Sequence, residues 1–128
     1  GDHRDLHLSI RRQRQMCIRD SIHTESYNHR INTQKGGSLK LDSIDTVFYV
    51  YAIEWFEDRI DFFINDDKYY SFQNDNNNNF KTWPFNQRFH LLINIAVGGD
   101  WPGSPDETTN FPTEMKIDYV RVYQKIEL

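Results

Sequence analysis

Residues 47–64, VFYVYAIEWFEDRIDFFI, decide the fold. VFYVYAIEW is dense in β-branched and aromatic residues, which suit a pleated, packed surface and disfavour a helix. RIDFFIND follows after the polar pair Glu57 and Asp58, so the segment reads as two strands joined in a hairpin. Asn65, Asp66 and Asp67 supply turn chemistry before a further strand, KYYSF.

Outward from this hairpin the pattern repeats without a sustained helical period. Upstream, SIHTESYNH reads as a strand and NTQKGGS as a glycine-rich turn. Downstream, residues 74–79 (NDNNNN) form a polar, low-complexity loop, a lid or an insertion, with the insertion favoured because loops tolerate added length at low entropic cost. FHLLINIAV is an almost continuous apolar strand, GGDWPGSP a turn-rich loop, and MKIDYVRVYQ the closing strand. The expectation is an all-β chain of five or six strands. Strands this apolar require a second sheet to cover them.

The composition, 38% hydrophobic and 15% aromatic, is that of a globular domain rich in Phe, Tyr and Trp. A formal net charge of -4 argues against nucleic-acid binding. No apolar run reaches membrane-spanning length, and the charged first twenty residues do not read as an export signal. The single cysteine, Cys17, excludes an internal disulfide. Residues 1–20 are locally basic, with Arg11, Arg12, Arg14 and Arg19 crowded together. They read as a segment outside the fold, either a disordered tail or an artefact, since RRQRQMCIRDS resembles translated linker sequence; a basic arm for an anionic partner is the alternative. The folded part is expected to be residues 21–128.

Four segments, IHTESYNHRINTQKGG, FYVYAIEWFEDRIDFFINDDKYYSF, WPFNQRFHLLINIAVGGDWPG and MKIDYVRVYQ, resemble the laminarinases of glycoside hydrolase family 16, in that order. INIAVGGDWPG followed by DYVRVYQ is the most specific pairing. The resemblance implies a concanavalin A-like β-jelly-roll sandwich, here incomplete because the N-terminal strands are missing. Its concave face would bind a β-glucan and hydrolyse β-1,3-glucosidic bonds with retention, using a strand of pattern E-x-D-x-x-E. Retention requires a nucleophile and an acid whose carboxyl groups lie about 5 Å apart. No glutamate of this sequence has an aspartate two positions later, so no catalytic residue is assigned. The resemblance further implies a secreted protein, extracellular or periplasmic, expected to be a monomer that binds a polysaccharide.

Candidate site residues follow from strand alternation and side-chain chemistry. His23 and Glu25, two apart on an expected strand, would share one face. Each is either a sugar contact or a solvated polar residue. Asn94 is the polar exception in FHLLINIAVGG; with Ala96 it would face the concave side opposite Leu91, Ile93, Ile95 and Val97, its amide on a sugar hydroxyl or capping a sheet hydrogen bond. Trp101, in a loop closed by Pro102, Gly103 and Pro105, suits a pyranose-stacking platform, with an anchor for the loop as the alternative. Trp55 and Trp83 read as core. Asp118, charged within an apolar strand, needs a partner: a structural Ca²⁺, as the resemblance implies, or Arg121. Two rivals to the hydrolase reading stay open, a non-catalytic carbohydrate-binding sandwich and a non-functional remnant.

Overall fold

The computed structural model describes residues 15–100 and 103–127, and of residues 15–17 the backbone alone. Five strands alternate with turns: β1 (Gln15–Ile22), β2 (Lys35–Asp42), β3 (Tyr51–Trp55), β4 (Arg59–Ile64) and β5 (Asp67–Gln73). Every pairing is antiparallel. β1 and β2 form one sheet, running from Gln15 opposite Asp42 to Ile22 opposite Lys35. β3, β4 and β5 form a second sheet in that order.

The hairpin expected from VFYVYAIEWFEDRIDFFI is present, with Trp55 opposite Ile60 and Tyr51 opposite Ile64. Period 2 sends Ile60, Phe62 and Ile64 to one face of β4 and Asp61 and Phe63 to the other. The β4–β5 turn is tight because Asn65 adopts the left-handed conformation, φ 52°. The same residue fixes the entry to β3: its N–H donates to Val50 O (2.8 Å) and its Oδ1 accepts from Val50 N–H (3.1 Å). The register on β5 shifts between Phe62 opposite Tyr70 and Phe63 opposite Lys68, which leaves Tyr69 as the extra residue of a bulge.

The core joins the two sheets. Ile22 from β1 packs with Ile60, Phe72 and Trp83, ringed by Tyr27, Phe62, Tyr70 and Phe85. Trp83 is thus core, as its sequence context indicated. β2 lies against β5, and β3, at the far edge, keeps Tyr51, Ile53 and Trp55 in solvent. The expectation of a buried Trp55 is corrected for that reason: no strand among the described residues covers its face.

Two boundaries also differ from the sequence reading. Residues 15–20, set apart with the basic segment, instead form most of β1; the upstream arginines mask the alternation of Ile18, Asp20 and Ile22, which share one face. NTQKGGS is not a turn, since its glycines lie in β2. A β-carbon on Gly36 would collide with the backbone oxygen of Asp20, and one on Gly37 would come within 2.7 Å of Tyr70. Glycine is needed here for close approach. Gly36→Ala is therefore expected to destabilise this body by at least about 1 kcal/mol, read as a lower urea midpoint.

Residues 90–127 form a separate compact unit. Among its described residues there is one isolated bridge, Gly99 with Gly103, and no hydrogen-bonded strand. FHLLINIAV and MKIDYVRVYQ are therefore not paired strands in this chain, contrary to expectation, and Leu92, Val122 and Tyr123 are 79%, 91% and 82% exposed. A strand requires a ladder partner, and propensity alone supplies none.

Candidate functional site

The residues proposed from sequence fall in three places. His23 and Glu25 are not on a strand, because β1 ends at Ile22. Residues 23–33 form a loop around a short 3₁₀ helix, His29–Ile31, capped by Asn28, and satisfy their own backbone: Asn28 Nδ2 donates to Thr24 O and Glu25 O, Asn28 Oδ1 accepts from Arg30 N–H, and Thr33 Oγ1 donates to Ser26 O. Exposed His23 shares a hydrogen bond of 2.9 Å with Ser21 Oγ and meets the His29 ring edge-on at 5.5 Å. Glu25 forms an exposed ion pair of 2.9 Å with Lys81, which raises the Lys81 pKa. The shared-face argument for the pair does not hold.

Asn94 and Asp118 are exposed in the second unit, and Trp101 lies outside the described residues. Arg121, the expected alternative partner of Asp118, lies 4.2 Å above the Tyr119 ring. Among the described residues no three His, Cys, Asp or Glu side chains gather as a metal site. One exposed carboxylate falls far short of the six to eight oxygens that Ca²⁺ takes, so the described donors do not fit calcium.

The structure instead assembles an open groove of about 640 Å³ within residues 55–87. Trp55, Phe56, Phe80, Trp83 and Phe85 supply its aromatic surfaces, and Glu57, Asn74, Asn78, Asn86 and Gln87 its polar ones. Trp55 is held by its indole N–H on Phe85 O (3.0 Å) and by edge contact with Phe89. Trp83 stacks on Phe72 at 5.5 Å, and Phe85 meets Trp83 edge-on at 5.3 Å.

The asparagine run forms the opposite wall and is ordered by its own side chains. Asn74 N–H donates to Asp58 O, and Asn74 Nδ2 to Glu57 O, stitching the run to the β3–β4 turn. Asn74 Oδ1 then accepts from Asn76 N–H, Asp75 Oδ1 from Asn77 N–H, and Asn79 Oδ1 from Lys81 N–H. A hydrogen bond from the Thr82 side chain, then one from the Asn77 backbone, lowers the Asp75 pKa. Asn76 and Asn78 adopt φ of 57° and 50°, conformations that asparagine tolerates better than most residues. The sequence reading missed this wall. Its signal was amides interleaved with Phe80, Trp83 and Phe85.

Asp61 was also missed. It lies on the outer face of β4, opposite Glu54 on β3 and Ser71 on β5, and is 2% exposed. Ser71 Oγ donates to its Oδ1 (2.5 Å), Arg59 Nε donates to Oδ2 (3.1 Å), and Lys68 Nζ lies 3.6 Å from Oδ2. The Ser71 hydrogen bond, followed by those cations, holds its carboxyl below the ordinary aspartate value. Held as an anion by these partners, Asp61 is not itself a proton donor at neutral pH.

Packed antiparallel sheets, an aromatic core and an aromatic, amide-lined groove are now joined by the sequence match. Residues 11–121 match Glycosyl hydrolases family 16. The chain belongs to that family. It is 44% identical over 115 residues to a beta-glucanase of Rhodothermus marinus, covering 86% of this chain and 40% of the relative. A keratan-sulfate endo-1,4-beta-galactosidase of Sphingobacterium multivorum is 31% identical, with 77% of this chain and 24% of that protein covered. The crystal structure of the laminarinase from Rhodothermus marinus superposes with a TM-score of 0.65 at 44% identity, covering 68% of this chain and 36% of that one. The all-β, jelly-roll family architecture expected from the sequence is the one found. The chain spans less than half the length of these relatives.

Proposed function

We propose that the protein containing this chain hydrolyses β-1,3-glucosidic bonds of β-glucans with retention, and that this chain contributes sugar-binding surface, not the nucleophile or acid. The observation that carries this reading is the 44% identity to a beta-glucanase across 86% of the chain. One family relative is named for a sulfated substrate, keratan sulfate. Against it, the net charge is -4, and the groove contains no lysine or arginine, so a sulfate ester would lack the charged donors that bind it. A neutral glucan fits better.

In this mechanism a carboxylate attacks the anomeric carbon while a carboxylic acid protonates the leaving oxygen, the two about 5 Å apart. Both would come from sequence beyond this chain. The second reading, a non-catalytic carbohydrate-binding sandwich, rests on the absence of E-x-D-x-x-E from these 128 residues.

Reducing-sugar release from laminarin separates the two. The chain is assayed alone and fused behind a laminarinase N-terminal half that carries the acidic strand. Release by the fusion only is the expected result. Binding without release in both forms would favour the non-catalytic module, and release by the isolated chain would overturn the division of labour.

A further inference from the structure

We infer that His23 and His29 form a two-imidazole site for Zn²⁺ just beyond the end of β1, separate from the aromatic groove and independent of the hydrolase reading. The two rings stand 5.5 Å apart, centre to centre, with their planes at 70°. Zinc takes an imidazole nitrogen at about 2.0–2.1 Å and favours tetrahedral angles, which places the centres of two ligating rings about 5 Å apart. The observed pair already stands near that separation. Both side chains are exposed, so rotation about their own torsions aims a nitrogen of each at one ion without disturbing the core.

The hydrogen bonding supports the same assignment. His23 Nε2 lies 2.9 Å from Ser21 Oγ. A ring that donates Nε2–H to this oxygen keeps its lone pair on Nδ1, and a bond of this kind to the far nitrogen is what orients a metal-ligating histidine. The His29 ring makes no hydrogen bond among the described residues, so an ion bound there displaces no protein partner.

The backbone beneath the rings is fixed in advance. Thr24 N–H donates to Tyr27 O (2.7 Å) and Tyr27 N–H to Thr24 Oγ1 (3.1 Å). On the other side of the turn, Asn32 N–H donates to His29 O (3.3 Å) and Thr33 N–H to Asn28 O (3.1 Å). The segment from His23 to His29 is thus held in its turn before an ion arrives, and little ordering cost opposes chelation.

Donor chemistry selects the ion. Imidazole suits zinc, copper and nickel, whereas Ca²⁺ and Mg²⁺ take oxygen ligands. Glu25, two residues from His23, is engaged by Lys81 at 2.9 Å, so water fills the remaining positions. Two protein ligands make an open, exchangeable site, unlike the closed four-ligand shell of a structural zinc.

The test is calorimetric titration of the whole chain with Zn²⁺ in a buffer that does not chelate it. His23→Ala and His29→Ala are compared with His90→Ala, which alters an exposed histidine of the other unit. All three side chains are exposed, and near-UV circular dichroism checks each fold. Loss of either ring removes the chelate, so both His23→Ala and His29→Ala are expected to weaken binding at least about ten-fold, with His90→Ala unchanged. Binding equal to that of the unaltered chain in either of the first two variants overturns the two-ring site. An equal loss in His90→Ala overturns it too, as does a dissociation constant above about 1 mM for the unaltered chain.

Discussion

Trp83→Ala is expected to unfold most of the body made by residues up to Phe89. Trp83 is 6% exposed, stacks on Phe72 at an interplanar angle of 15°, and meets Phe85 edge-on. Among the described residues it forms the buried cluster with Ile22, Ile60 and Phe72. Truncating a buried Phe or Trp to alanine costs about 3–5 kcal/mol from lost transfer energy and the cavity left behind. Domains hold only about 0.05–0.15 kcal/mol per residue, so the loss is a large part of the stability of this body and, at the low end of that range, all of it. Neighbours cannot refill the space, because Phe72 and Phe85 are already oriented by Trp83 itself. Urea unfolding followed by near-UV circular dichroism is the measurement. The expected result is a variant without a native baseline, or with a midpoint lowered by at least about 3 kcal/mol, and Trp83→Phe should fall between. A loss below about 1 kcal/mol would mean that the aromatic cluster is not the core of this body.

The central hairpin was legible in the sequence because its information is local. β-branched and aromatic density, a polar connection and an asparagine turn each act within a few residues, and all agree. The edges were not legible, for three physical reasons. His23 to Asn28 continues the strand-like composition of β1, but Thr24, Asn28 and Thr33 satisfy the backbone locally, and that competes with a ladder. Gly36 and Gly37 resemble a turn until the close approach of Asp20 and Tyr70 is known, which is a tertiary fact. FHLLINIAV and MKIDYVRVYQ carry strong strand propensity, but pairing needs a partner that the described chain does not supply. The groove was hidden differently: the asparagine run looks like filler, and only its side-chain to backbone hydrogen bonds turn it into a wall.

Asp61→Asn is expected to destabilise the same body by about 2 kcal/mol at neutral pH, with a pH signature that a packing defect would lack. The carboxylate accepts from Ser71 and Arg59 and lies near Lys68. Hydrogen bonds to charged groups contribute about 1.5–3 kcal/mol each. The sum is discounted here because the Arg59 and Lys68 side chains are 35% and 52% exposed, so water screens both. An amide keeps an acceptor for Ser71 but loses the charge, and can turn an N–H toward the guanidinium. The sign follows from the depressed pKa. The ordinary aspartate value is 3.8 and the folded value lies below it. The contribution is therefore complete above about 3.8 and disappears as pH falls through the folded pKa. Asp20 acts in the opposite sense, since burial raises its pKa; its charged form works against folding, and that cost is relieved as pH falls through its raised value. The stability gap between wild type and Asp61→Asn should thus be full at pH 7 and pH 5 and narrow only as pH falls from about 3.8 toward the lower folded value. In the variant, Asp20's opposing slope should become visible at mildly acid pH. Urea midpoints at pH 7 and 5 and at about pH 2, below the ordinary aspartate value of 3.8, are the measurement. A gap constant across all three would show that Asp61 acts through packing and not through its charge.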